Sequence, residues 1–333
     1  MDADRDPSPW HWGEREVHRR LGISEEIEAI GGHNIRPFMP DQHRLFFAQL
    51  PFMLVGSVDR TGRPWASLLS GWPGFVQSPD PRVLHVAALP APGDPLVEAL
   101  VPGGRVGMLG IELPTRRRNR VNGRIVAVDD KGFILAVEQS FGNCPQYIRT
   151  RHYAGLRPGC ERIEPFEGLP AAARDLIGKA ETAFVASSTP LQDGLAGSAD
   201  VSHRGGKPGF IGITDDGELV IPDYRGNRYF NTLGNLLINP RAGLLFIDFA
   251  AGDLLQITGL AKIIWDGPEV AAFVGAQRLW WLTPTAGQWL RDAFPLRVEG
   301  GEASPVIAGT STWAEVQISM RDPAVKHLPI DVL

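Results

Sequence analysis

Short apolar or alternating runs recur along this chain, each closed by Gly, Pro or Asp. In the first half they are PFMLVGSVD (51–59), RVLHVAAL (82–89), RVGMLGIEL (105–113), GRIVAVDD (123–130) and GFILAVEQ (132–139). In the second half they are TAFVASST (182–189), GFIGITDD (209–216), GELVIPD (217–223), AGLLFIDF (242–249) and LLQITGLAKIIW (254–265). Runs of this length between turn residues predict antiparallel strands closing into small barrels. In RYFNTLGNLLINP (228–240) the apolar residues Phe230, Leu233, Leu236 and Leu237 keep a helical spacing that Asn239-Pro240 ends. Helices are also predicted over 39–50, 168–181 and 267–280, and a last strand over 313–320 that returns to the second barrel.

The pattern repeats. SLLSGWPGF (67–75) aligns with SHRGGKPGF (202–210) at an offset of 135, which places Ser67 on Ser202 and Pro73-Gly74-Phe75 on Pro208-Gly209-Phe210. Leu84 and Val86 then meet Leu219 and Ile221. After a one-residue slip, Val106 to Leu109 meets Ala242 to Leu245, and Gly123 meets Gly259. Blocks kept in one order predict two copies of one fold. The expected organisation is an N-terminal extension (1–38), a degenerate barrel (39–150), a linker (151–170) and a second barrel with C-terminal helices and a return strand (171–333).

Composition narrows the class. Hydrophobic residues make up 43% and charged residues 21% of 333 residues, which excludes a disordered chain. The 38 Gly and 28 Pro favour turns over a helical bundle. A net charge of -5 points away from nucleic acid and from a membrane surface. No apolar run is long enough to span a bilayer, and the polar, acidic N-terminus does not resemble a signal peptide. Two cysteines, Cys144 and Cys160, fit a reducing compartment, so a cytoplasmic location is expected.

Candidate chemistry concentrates in the second copy. Arg225-Gly226-Asn227-Arg228 leaves a strand and enters the predicted helix, with Arg228 in its first turn. A helix N-terminus flanked by guanidinium groups suits a phosphate, and Asn227 could cap it. An exposed turn with solvated arginines is the plainer reading. The first copy has no arginine there and carries Asp94 and Glu98 instead, so one ligand site is expected per chain, on the second barrel and covered by the first. Ser202, His203 and Arg204, with Gly205, Gly206 and Lys207, form a polar segment between strands. It reads either as a backbone approaching an anion or as an ordinary charged hairpin. Gln256 starts a strand and could address a planar heterocycle or be a satisfied structural Gln. Cys144, followed by Arg149, Arg151 and His152, is a candidate for thiol chemistry, as His203 is for acid–base chemistry. Packing with a helix starting at Asn143-Cys144-Pro145 is the alternative for the cysteine. The basic run 116–120 is a solvated edge, or else Arg118 or Arg120 points into the site. Tryptophans in 278–290 read as core, interface or lid. The eight histidines, His327 among them, form no metal-ligand spacing, and no dinucleotide, P-loop or hydrolase motif occurs.

The run from Asp200-Val201-Ser202 through Pro208-Gly209-Phe210, Ile221 to Arg228 and Asn235 to Phe246 resembles the FMN-binding split barrels of the pyridoxamine 5'-phosphate oxidase superfamily, in its predicted flavin-nucleotide-binding branch. FFAQLPF (46–52), RRRNRVNGR (116–124) and SFGNCPQYI (140–148) look like the upstream part of fused members, so the likeness covers roughly 40–265. It implies a mainly β chain of two tandem split barrels with short flanking helices, holding FMN between barrels. The phosphate falls to Arg225, Asn227 and Arg228 with help from Ser202, His203 and Arg204; a flavin contact falls to Gln256. Arg118, Arg120, Asn143 and Tyr147 could close over the ring. Tyr229 stands where the oxidases carry Lys, and their substrate-phosphate residues are not found. The resemblance therefore implies an FMN-dependent oxidoreductase acting on an unidentified small molecule, with NAD(P)H as a conceivable reductant and a homodimer as the assembly. The alternatives are a flavin carrier without its own reaction, or a barrel holding deazaflavin or haem.

Overall fold

The computed structural model describes residues 8–157, 162–190 and 197–321; Cys160 and His327 lie outside them. The first sheet is built from β1 (Phe52–Val58), β2 (Pro64–Ser70), β3 (Val76–Asp80), β4 (Val83–Val86), β5 (Arg105–Glu112), β6 (Arg117–Val128) and β7 (Phe133–Gly142). After β8 (His152–Leu156) and β9 (Arg162–Phe166), the second sheet uses β10 (Thr182–Thr189), β11 (Ser198–Gly205), β12 (Gly212–Ile213), β13 (Leu219–Tyr224), β14 (Arg241–Ile247), β15 (Leu254–Ile264) and β16 (Ala276–Arg291). The orders are β2-β1-β5-β6-β7-β4-β3 and β11-β10-β14-β15-β16-β13-β12, the same path strand for strand. The chain is therefore mainly β, and the sequence repeat is a structural duplication. Residues 151–170 carry β8, which pairs with β17 (Leu296–Glu299), and β9, which adds to the edge of β16.

Eight helices flank the sheets among the described residues: α1 (Trp12–Arg20), α2 (Ser24–Asn34), α3 (Asp41–Ala48), α4 (Leu96–Ala99), α5 (Ala171–Lys179), α6 (Asn231–Ile238), α7 (Pro268–Ala272) and α8 (Trp313–Arg321). Each barrel has its own core: Phe47, Met53, Val55 and Met108 in the first; Ile177, Val185, Leu244 and Trp280 in the second. A third apolar cluster joins the two barrels within one chain. Successive side chains of a strand point to opposite faces. Met53 and Val55 therefore fill the first barrel while Phe52 and Leu54 of the same strand meet Phe184, Leu245 and Phe294 of the second. Burial on both faces explains why β1, β10 and β14 read as continuous apolar runs. At Gly56 and Gly243 the two sheets touch backbone to backbone: a Cβ there would stand 2.3 Å from the Asp200 carbonyl and 2.4 Å from that of Pro64.

Several local expectations are corrected. Residues 313–320 form α8 rather than a return strand, because Thr312 and Glu315 exchange hydrogen bonds as a capping box. The helix expected over 267–280 stops at Ala272. Gly275, at φ +88°, turns the chain into β16, which buries Trp280 and Trp289 in the second core. Ser202, His203 and Arg204 lie on β11, not in a loop. No helix begins at Asn143-Cys144-Pro145; Tyr147 adopts a left-handed φ of 65°, and the turn seats Ile148 in the inter-barrel core. α6 starts at Asn231, so Arg228, itself at φ 62°, precedes it.

Candidate functional site

A cleft opens where β6 of the first barrel crosses β11, β13 and the start of α6 of the second. It gathers Arg118, Arg120, Asn143, Tyr147, Ser202, His203, Arg204, Asn227 and Arg228. Arg120 binds the two barrels together. Its Nη1 donates to Asp200 Oδ1 at 3.0 Å and Asn231 Oδ1 at 2.8 Å, and its Nη2 to Ser202 Oγ at 2.5 Å. Two residues earlier on the strand, Arg118 Nε donates to the Cys144 carbonyl at 2.5 Å. Among the described residues no carboxylate pairs with Arg118, and burial pushes its guanidinium down to about 9. Arg204 stands 3.9 Å and Arg278 of β16 3.3 Å from Asp223. Arg118, Arg120, Arg204 and Arg278 thus gather here, and Arg118 has no carboxylate among the described residues, which favours an anion at the cleft.

His203 is buried, and desolvation reinforced by Arg118 and Arg204 holds its pKa well below the ordinary imidazole range. It is neutral at physiological pH, and its Nε2 has no partner among the described residues. At the mouth, the Tyr147 ring stacks on Tyr224 with centroids 5.0 Å apart, and its hydroxyl donates to the Arg225 carbonyl at 3.0 Å. Phe230, at φ 57°, is the N-cap of α6 and supplies no side-chain bond to the helix start. The first N–H groups of α6 consequently keep their donor capacity. Thr232 Oγ1, in that first turn, is buried without a partner among the described residues.

Not every expected residue arrives here. Arg225 is exposed and offers its carbonyl rather than its guanidinium. Arg228 lines the cleft but pairs with Glu26 of α2. Asn227 Oδ1 accepts from the Tyr229 amide at 3.2 Å, stiffening the turn instead of capping α6. Cys144 contributes its carbonyl. Gln256 lies at a different place altogether, buried on β15 against the first barrel. Its Nε2 donates to the Ala66 carbonyl at 2.9 Å, Ser67 Oγ at 3.2 Å and Asp94 Oδ2 at 3.0 Å, while its Oε1 accepts from Gln288 at 2.8 Å.

That second place is the duplicate of the first. Ser67 corresponds to Ser202, Gln256 to Arg120, and the start of α4 at Leu96 to the start of α6 at Asn231. In it, Asp94 Oδ1 accepts from Ser67 Oγ at 2.5 Å and from the Leu96 amide at 2.8 Å. A carboxylate of the chain therefore occupies the point where the matching serine, strand residue and helix N-terminus converge. At the cleft the same three elements converge, with Asp200 on Arg120 and Glu14 on the Asn231 side chain, but among the described residues no carboxylate takes an α6 backbone amide as Asp94 takes that of Leu96. Asp94 is itself pushed up to about 6 by burial, against the pull of its donors.

Residues outside the expectation complete the site. Arg278 and Asp223 stand behind Arg204. The N-terminal extension docks α1 on α6 so closely that a Cβ on Gly13 would lie 2.0 Å from the Gly234 carbonyl. From α1, Glu14 takes the Asn231 amide, and His11 Nε2 lies 2.8 Å from Asn235 Oδ1. Asp200 and Asp223 sat inside quoted motifs; Arg278 was hidden by the helix assigned to its segment, and the docking of α1 left no periodic signal. Among the described residues no group of three His, Cys, Asp or Glu could hold a metal, and no helix is long and apolar enough to cross a membrane.

Residues 169–298 match the profile of the family described as pyridoxamine 5'-phosphate oxidase. The second half of the chain is thus a split barrel of that superfamily, and the first half repeats its strand path. No curated protein matches the sequence. Among solved structures, HupZ of Group A Streptococcus is similar at 17% identity and a TM-score of 0.28, over 39% of this chain and 94% of its own. HutZ, the haem storage protein of Vibrio cholerae, is similar at 15% identity and a TM-score of 0.26, over 37% of this chain and 95% of its own. Likenesses this distant carry no argument about the ligand.

Proposed function

We propose that this split-barrel chain binds one flavin mononucleotide in the cleft between its barrels and serves as an oxidoreductase for a small molecule. The observation that carries the reading is the pair of matched corners: Asp94 fills one with a carboxylate, and at the other the α6 N-terminus has no side-chain cap and Arg120 Nε is buried without a partner among the described residues. The residues present fit a flavin phosphate. Arg118 without a carboxylate, the partnerless Thr232 hydroxyl and the first α6 amides are donors in want of acceptors. Asn143, Tyr147 and Tyr224 line the way out and suit a planar ring, with Tyr147 excluding water from it. Arg120, locked by three hydrogen bonds, orients the group rather than moving with it. Bound flavin would supply electron transfer at its ring. A second reading rests on His203, whose neutral, partnerless Nε2 is the form that ligates haem iron. A homodimer, if formed, would use a surface other than the seam between barrels, which one chain already fills.

The test is titration of the purified full chain with FMN, riboflavin and haem. Saturable micromolar FMN binding is expected, with riboflavin at least about tenfold weaker for want of the charge-assisted contacts. Equal affinity for riboflavin would remove the phosphate assignment, and haem binding without FMN binding would replace the reading. Reduction of bound FMN by NADPH, with turnover by an acceptor, separates an enzyme from a carrier.

A further inference from the structure

A larger cavity, of about 620 Å³, lies on the far side of the Arg120–Asp200 pair, between β5, β6 and β7 of the first barrel and the segment leading into α1. Its volume is that of a small-molecule site. Arg36, Arg82, Arg105 and Arg124 line it, together with Glu14, Glu138 and Asp200, of which Glu14 bonds Asn231 and Asp200 bonds Arg120. Arg105 pairs with Glu138; among the described residues no carboxylate pairs with the other three. Arg82 and Arg124 are exposed and Arg36 and Arg105 half-buried, and the four reach this one concavity from separate places in the chain. The floor is Asn122, which is 7% exposed. Its Nδ2 donates to Asp200 Oδ1 at 2.7 Å, which fixes the amide orientation and turns Oδ1 away. Asn122 Oδ1 is buried with no donor among the described residues. A buried acceptor without a donor costs free energy unless a ligand or water supplies one.

We propose that this cavity is a second binding site, separate from the cleft, for a hydroxyl-bearing phosphate ester with at least two negative charges. Its phosphates would lie on Arg36, Arg82 and Arg124, and one of its hydroxyls would donate to Asn122 Oδ1. The partition between the two sites is one residue thick. Asn122 and Arg120 are alternate residues of β6, and Asp200 bonds both, so an occupant bonded to Asn122 is joined through it to the carboxylate that holds Arg120 in the cleft. The site stands on its own geometry and does not need the cleft to hold a flavin.

Calorimetric titration of the full chain with fructose 1,6-bisphosphate tests this, with fructose and tricarballylate as probes of hydroxyl and charge alone. The bisphosphate is expected to bind saturably below millimolar, and both controls at least tenfold more weakly. Arg82→Gln combined with Arg124→Gln should weaken it by tenfold or more, as loss of charge-assisted contacts implies, and leave the unfolding midpoint in place. Arg118→Met, in the cleft, should leave bisphosphate binding unchanged. Absent binding, tricarballylate binding as tightly as the bisphosphate, or loss through Arg118→Met rather than through the double variant would each overturn the proposal.

Discussion

Replacing Arg118 by Met should make the ligand-free protein more stable while making it a poorer phosphate binder. Burial lowers the guanidinium from its ordinary value to about 9. At about 1.4 kcal/mol per pKa unit, this corresponds to about 5 kcal/mol of unfavourable free energy if the side chain were sealed from water. The guanidinium keeps partial access through the cleft, and solvent screening reduces the figure to roughly 2–3 kcal/mol. The sign follows from protonation. Both folded and unfolded chains carry the charge below about pH 9, so the penalty is fully present at neutral pH and fades only above that value. Methionine keeps the length of the side chain and forfeits the bond to the Cys144 carbonyl, which costs about 1 kcal/mol. The balance is a gain of about 1–2 kcal/mol, read as a rise of about 2–4 °C in the thermal midpoint. Affinity for FMN should fall tenfold or more, with riboflavin little affected. Scanning calorimetry and flavin titration on the same preparations measure both. A variant that is less stable than the parent and binds FMN as before would show that Arg118 is a structural strut, and the account of the cleft would be wrong.

Flavin should bind at one per chain, because Asp94 and Gln256 fill the duplicate corner; equilibrium dialysis returning two per chain would contradict this. Asp94, raised to about 6 when folded against roughly 3.9 when unfolded, favours the folded state below about pH 4, and that contribution is lost as pH rises through 6. Urea unfolding should therefore show the parent losing about 2–3 kcal/mol more than Asp94→Asn between pH 4 and 7.5, and parallel pH profiles would refute it. Gly13→Ala should cost about 1–3 kcal/mol, since its methyl would strike the Gly234 carbonyl; a change within about 0.5 kcal/mol would mean α1 is not seated on α6.

The duplication and most strands were legible because burial on both faces leaves unbroken apolar runs, as in β1 and β14. β11 was not, because three of the residues it buries, Asp200, Ser202 and His203, are polar groups satisfied by the other barrel or turned to the cleft. Ala314, Val316, Ile318 and Met320 alternate as a strand would, yet a capping box started by Thr312 overrides them and leaves Ile318 exposed. Arg118, Arg120 and Tyr147 were expected through the resemblance, and all three line the cleft. Gln256 could not be told from its counterpart, because the same strand position faces the cleft in one copy and the filled corner in the other.

In a two-fold pair of identical chains, every substitution at the seam is made twice. An arginine that improves one cleft is imposed on its mate, and a carboxylate that braces one corner repels the ligand of the other. Joining the two halves in one polypeptide lifts that constraint. Arg120 and Gln256 hold the same register position on β6 and β15, and each has taken partners the other lacks. One corner has become an internal strut that holds the halves together whether or not a ligand is present. The other holds the halves through Arg120 and its partners, so Arg118, His203 and Thr232 beside it are spared that duty.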